Sequence, residues 1–113
     1  MHHGTPARSL VLFIGDGLGP AQLATARYHL ADRGDRLAFD RLAVWGQVST
    51  HSADALVTDS AAAGTAWATG VKTRNGAISV DAATDAPLPT ILEYARAAGK
   101  ATGLVATSRI TYA

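Results

Sequence analysis

Two short segments hold residue types whose spacing could do chemistry. The first is Gly15-Asp16-Gly17-Leu18-Gly19, which closes an apolar run. Glycines let backbone N–H groups approach an anion, and a helix is expected to follow. The dinucleotide-binding fingerprint needs its third glycine one place later, where Pro20 stands. A tight turn that uses glycine's freedom at positive φ explains the glycines without any ligand. It leaves Asp16 unexplained. A carboxylate at the end of a buried strand needs a partner charge, so Asp16 is a candidate ligand for a cation.

The second segment is Val57-Thr58-Asp59-Ser60-Ala61-Ala62-Ala63-Gly64-Thr65. It places Ser60 at a helix N-terminus, where the macrodipole and the N–H groups favour an anion near its oxygen. For a bare Asp-Ser pair the plainer explanation is an N-cap, worth about 1 kcal/mol. The small residues that follow allow close packing of the helix and access to Ser60. This is not a nucleophile elbow, because the flanking glycines are missing. No histidine is placed to act as the serine's base. A serine without a base needs another activator, and metal coordination lowers a hydroxyl's pKa. Asp16 and Ser60 therefore make sense together: a carboxylate holding a divalent cation and a serine oxygen bound to it.

Other features carry less. Gly70-Val71-Lys72-Thr73 resembles the tail of a P-loop, but Val71 interrupts the needed Gly-Lys pair. His29 and His51 have no second ligand at metal spacing and are expected at the surface or in ordinary packing. Trp45, Trp67 and the tyrosines are expected in a core or an interface.

The elements that must position these residues alternate between strand and helix. Residues 9–14 form a short apolar run, the pattern of a strand buried on both faces. A helix is expected from about Pro20 to Arg33, with Leu23, Ala26 and Leu30 on one face. Residues 44–50 suggest a second strand and 51–58 a polar connection. Ser60 to Thr69 suggests a helix. Asn75-Gly76 marks a turn, and residues 81–87 a loop. The next helix has Pro89 in its first turn, an apolar stripe of Leu88, Ile91, Leu92, Ala95 and Ala98, and Gly99 as its stop. Residues 101–106 suggest a further strand. This alternation predicts an α/β fold with a mostly parallel central sheet. Ligand groups then sit past the carboxyl ends of strands. Residues 1–9 are expected to be an N-terminal extension and 10–113 to lie within an α/β domain.

Composition narrows the function classes. The chain has 113 residues, a formal net charge of +1 and no cysteine. The charge balance excludes a dedicated nucleic-acid arm or an acidic-membrane binder. The absence of cysteine removes disulfides, thiol chemistry and Cys-type zinc sites. No apolar run approaches a membrane span, and MHHGTPARS lacks the apolar core of a signal peptide. A single Glu stands against eight Asp, a bias toward caps, turns and ligands rather than solvated helix faces.

Three blocks, in order, resemble the alkaline phosphatases. LVLFIGDGLGPAQLATAR is similar to that family's opening strand, metal-binding turn and first helix. VTDSAAAGTAWATGVKTRNGAISVD is similar to the segment around its nucleophilic serine. LPTILEYARAAGKATGLVATSRITYA resembles the helix and strand leading to its magnesium site. The resemblance implies hydrolysis of small-molecule phosphate monoesters through a covalent phosphoserine, assisted by two zinc ions and one magnesium. Ser60 matches the nucleophile, which also binds one zinc. Asp16 matches the carboxylate that links this zinc to the magnesium. Asp59 matches the residue beside the nucleophile, which helps position a phosphate-binding arginine. Tyr112 falls where the family commonly has His or Asp near the magnesium, and tyrosine is a poor anchor for that ion.

The resemblance also implies a periplasmic or extracellular location, and members are often homodimers. Members run to several hundred residues, so the chain matches their N-terminal part. The zinc and magnesium sites need more ligands than it holds. The sheet is then incomplete and the chain alone inactive. Two other classes fit the residues less well. A related phosphodiesterase or phosphoryl-transfer enzyme would more often carry Thr at the nucleophile. A non-catalytic phosphate-binding module would use only the glycine turn and the Ser60 helix N-terminus.

Overall fold

The computed structural model describes residues 7–31 and 36–111 of the chain. They fall into two compact units, divided between Gly46 and Gln47.

The first unit holds helix α1, Pro20–Ala31, and a 3₁₀ turn, Ala38–Arg41. Pro20 opens α1, where its missing N–H costs no helical hydrogen bond. Leu23, Ala26 and Leu30 are its half-buried positions, the stripe expected from their spacing. The helix end expected near Arg33 lies outside the described residues. The 3₁₀ turn is tied to α1 by an ion pair, Arg27 Nη2 to Asp40 Oδ1 at 2.7 Å. A second bond runs from Arg27 Nε to Asp40 Oδ2 at 3.2 Å. The Arg27 hydrogen bonds hold the Asp40 carboxyl below the ordinary carboxylate range. Trp45 meets Phe39 edge-on, with ring centroids 6.4 Å apart.

The second unit holds α2, Ser60–Thr69, and α3, Ile91–Ala97, which are neighbours. The bounds of α2 are those expected. Asp59 caps its start, and Gly70, at φ 77°, closes it with an N–H donated to Ala66 O at 2.9 Å. The start of α3 differs from expectation. Thr90 is the cap and Pro89 precedes it, because Thr90 and Glu93 form a capping box. The Thr90 hydroxyl accepts from Glu93 N, and the Glu93 carboxylate accepts from Thr90 N at 2.6 Å. Gly99, at φ 73°, ends α3 as expected. Its N–H donates to Arg96 O at 2.9 Å and that of Lys100 to Ala95 O at 3.0 Å, a Schellman pair.

Residues 9–14, 44–50 and 101–106 also differ from expectation. Among the described residues no strand forms, and pairing is confined to an isolated antiparallel bridge between Val80 and Pro87. A strand exists only through backbone pairing with a neighbouring strand, and these segments form no such ladder among the described residues. Their side chains lie open: Phe13 is 91% exposed and Val105 100%. Trp45, Trp67, Tyr28 and Tyr94 are likewise exposed, so they form no core within these units. Tyr112 lies outside the described residues. Buried apolar residues are small: Ala61, Ala62 and Ala77, with Ser52, Thr65 and Thr73 buried among the polar ones.

Candidate functional site

Ser60 is the first residue of α2 and is exposed. The chain enters the helix there because Asp59 is built into the start as its N-cap, with extended backbone (φ −93°, ψ 177°). Asp59 Oδ1 accepts from Ala62 N at 2.8 Å, the bond that defines a cap. Asp59 O accepts from Ala63 N at 3.1 Å. The second carboxylate oxygen is also engaged: Oδ2 accepts from Gly76 N at 2.6 Å. Asp59 therefore caps the helix through one oxygen and holds the turn at Gly76 through the other.

The Asn75-Gly76 turn lies across this entry. Asn75 Oδ1 accepts from Asp59 N at 3.0 Å, and Asn75 Nδ2 donates to Val57 O at 3.0 Å. Asn75 N donates in turn to Asp54 Oδ1 at 3.0 Å, which also accepts from Ser52 Oγ at 2.8 Å. The Asn75 N–H and the Ser52 hydroxyl together lower the Asp54 carboxyl from its ordinary value. Gly76 has φ 79°, a conformation that favours glycine, and this lets its N–H reach Asp59.

The small residues of α2 allow a close approach of the 77–79 segment. Thr65 is buried, donates from Oγ1 to Ala77 O at 3.3 Å and accepts from Ser79 N at 2.9 Å. Ala61, one turn earlier on the same face, is buried too. Arg74 closes the far side of this segment through Asp85 and Ala82 O.

Asp16 lies in the other unit, exposed, on a turn. Leu18 N donates to Gly15 O at 3.2 Å and Gly19 N to Gly17 O at 3.0 Å. Both glycines that flank Asp16 have a physical reason. Gly17 sits at φ 67°, and a Cβ on Gly15 would lie 2.7 Å from Leu18 Cβ. Among the described residues no group of three His, Asp or Glu side chains is gathered as a metal site requires. His29 and His51 are exposed, and His51 Nδ1 lies 2.9 Å from Ser52 O.

The sequence signals named Ser60, Asp59 and Asp16. They did not name Asn75 or Asp54 as parts of this site. Asn-Gly announces a turn, but nothing local says that the turn reaches back sixteen residues to Asp59.

The alkaline phosphatase family model matches residues 7–113. The chain is 47% identical over 110 residues to streptomycin-6-phosphate phosphatase of Streptomyces griseus, covering 93% of the chain and 24% of that protein. It is 43% identical over 112 residues to the alkaline phosphatase of Escherichia coli K12, covering 93% and 24%. It is 46% identical over 109 residues to the repressible alkaline phosphatase of Saccharomyces cerevisiae, covering 92% and 19%. The chain thus spans about a quarter of the length of such relatives. No solved structure matches it with significance. A family match over nearly every residue shows that the chain belongs to the alkaline phosphatases.

Proposed function

We propose that the full-length protein hydrolyses small-molecule phosphate monoesters, with Ser60 as the nucleophile. One observation carries this reading: Ser60 stands exposed at the first position of α2, behind an aspartate held by both of its oxygens. A serine so placed meets an incoming phosphoryl group at the positive end of the helix dipole. In the first step Ser60 Oγ attacks phosphorus, the bond to the ester oxygen breaks, and the alcohol leaves. Water then attacks the phosphoserine, releasing inorganic phosphate and restoring the hydroxyl. Asp59 acts through geometry, fixing the backbone from which Ser60 projects.

Family membership supports a requirement for two zinc ions and one magnesium, with Asp16 and Ser60 each contributing one ligand position. Their chemistry would be to lower the serine's pKa and screen phosphoryl charge. The other ligands would come from the rest of the full-length protein, because the described residues do not complete a site. The same reading covers the fold. Residues 9–14, 44–50 and 101–106 would become strands of a mostly parallel sheet once neighbours from the longer chain pair with them. It also covers a location outside the cytoplasm.

The test is turnover of p-nitrophenyl phosphate by the full-length protein. Ser60→Ala is expected to abolish turnover, and acid quenching with labelled substrate to trap label on Ser60. Full turnover by Ser60→Ala would refute the assignment. Faster cleavage of a diester than of a monoester would move the protein to the phosphodiesterase class. Phosphate binding without metal or turnover would make it a binding module.

A further inference from the structure

We infer that Asn75 is a positioning residue for Ser60, an inference that rests on the nucleophile assignment proposed above. Its amide spans the two backbone groups that flank Thr58. Oδ1 accepts from Asp59 N and Nδ2 donates to Val57 O, both at 3.0 Å. This is what a neighbouring strand would supply, one N–H and one C=O, delivered by a side chain sixteen and eighteen residues away. The amide's orientation follows from the network, because the flipped form would set N–H against N–H and C=O against C=O.

The N-cap alone does not do this. Asp59 Oδ1 fixes the first turn of α2 upon itself, through Ala62 N. It says nothing about where that turn stands relative to the rest of the unit. Asn75 and Gly76 set that: the amide holds the chain just before the helix, and Gly76 N holds the capping carboxylate at 2.6 Å. Asp54 anchors the turn from behind by accepting from Asn75 N at 3.0 Å. Asn75 is exposed, so water could satisfy its amide without any of these bonds. Both polar ends are nonetheless directed at backbone beside the nucleophile. Geometry at the attacking oxygen is where small displacements cost most, on the order of 100-fold in rate for about 1 Å.

The experiment uses the full-length, metal-replete protein with p-nitrophenyl phosphate. Asn75→Asp keeps the side-chain volume and an acceptor for Asp59 N, but sets an acceptor against Val57 O. It is expected to lower kcat about 10- to 100-fold, change KM by less than about threefold and leave the melting temperature close to that of the wild type. Asn75→Ala, which removes both bonds, is expected to lower kcat at least as far. A merely structural role predicts instead that activity falls only with the folded fraction. A folded Asn75→Asp protein with kcat within about twofold of wild type would overturn the inference. So would failure of both variants to fold, since Asn75 would then serve folding alone. Ser60→Ala, assayed alongside, separates the two claims. If it is inactive while Asn75→Asp is fully active, the positioning role fails and the nucleophile stands. If Ser60→Ala is active, the nucleophile assignment itself is wrong and the positioning role falls with it.

Discussion

Replacing Asp59 by alanine removes two acceptors at once, and the structure sizes each. Loss of the cap to Ala62 N costs about 1 kcal/mol. Loss of the bond from Gly76 N, a charge-assisted contact at 2.6 Å, costs about 1.5 kcal/mol, the lower end of the range because Asp59 is half-buried. Together they weaken α2 by about 2.5 kcal/mol, which corresponds to about 60-fold in an opening equilibrium. The assay is native-state hydrogen exchange on the full-length protein, followed at the amides of residues 64–69. Those amides bond within the helix, so their exchange reports opening of α2 and not the trivial loss of an acceptor. Asp59→Asn divides the effect. Its Oδ1 still accepts from Ala62 N, while its amide group faces the Gly76 N–H with another donor. About 1.5 kcal/mol is lost, or roughly 12-fold faster exchange. The expected order is wild type, Asn, Ala. Exchange in Asp59→Ala within about threefold of wild type would refute the reasoning, because neither bond would then hold the helix start. Equal exchange in the two variants would refute the share given to the cap.

Two further outcomes follow from the geometry. Gly15→Ala should lower the melting temperature of the full-length protein, since its Cβ would lie 2.7 Å from Leu18 Cβ and overpacking costs about 1–3 kcal/mol. Leu18→Ala should rescue it only in part, because it removes Cδ2, also 2.7 Å away, but keeps the Cβ; full rescue would show that the Cβ contact costs nothing. The second concerns acid. The Asp54 pKa is lowered in the folded state by the Asn75 N–H and the Ser52 hydroxyl. Its contribution is therefore present above the ordinary aspartate pKa of about 3.9 and is lost as pH falls through the lower folded value. Asp54→Asn should flatten that part of the acid limb in a stability-versus-pH series. An unchanged acid limb would mean that these bonds do not favour the ionised form.

What could be read in the sequence divides by the range of the interactions. Helix α2 was legible to the residue because its start and stop are local: an Asp-Ser cap at one end and a left-handed glycine at the other. The half-buried face of α1 followed from spacing alone. The start of α3 was displaced for a reason that is also local. Thr90-Ile91-Leu92-Glu93 is a capping-box pattern, and a proline beside it drew the boundary too early. The apolar runs are a different matter. Composition says that residues 9–14 and 101–106 suit a buried strand, but a strand is a pairing, and the partner is never encoded in the strand itself. The Asn75 clamp is nonlocal in the same way. A turn dipeptide announces itself, whereas its reach to Val57 and Asp59 is a property of the folded unit.

The capping and nucleophile explanations of Asp59-Ser60 are not rivals once the bonds are assigned. If Ser60 receives a dianionic phosphoryl group as proposed, a carboxylate beside it is electrostatically unwelcome, since like charges a few ångströms apart raise the barrier. Here each oxygen of Asp59 is met by a backbone N–H, from Ala62 and from Gly76. Those two N–H groups engage both carboxylate oxygens at the helix start and the turn. An aspartate is useful at this position because it can accept twice. A serine or threonine cap has one oxygen, too few to serve two separate donors with two separate atoms, and an asparagine offers one acceptor and a donor. The double acceptance ties the start of α2 to the 75–76 turn. A carboxylate oxygen keeps a second lone pair after each of these bonds. Asp59 can therefore still orient a cationic side chain, as the family resemblance implies, without releasing the helix. Under the proposed function, the residue that looks like a plain cap also fixes the backbone of the serine beside it.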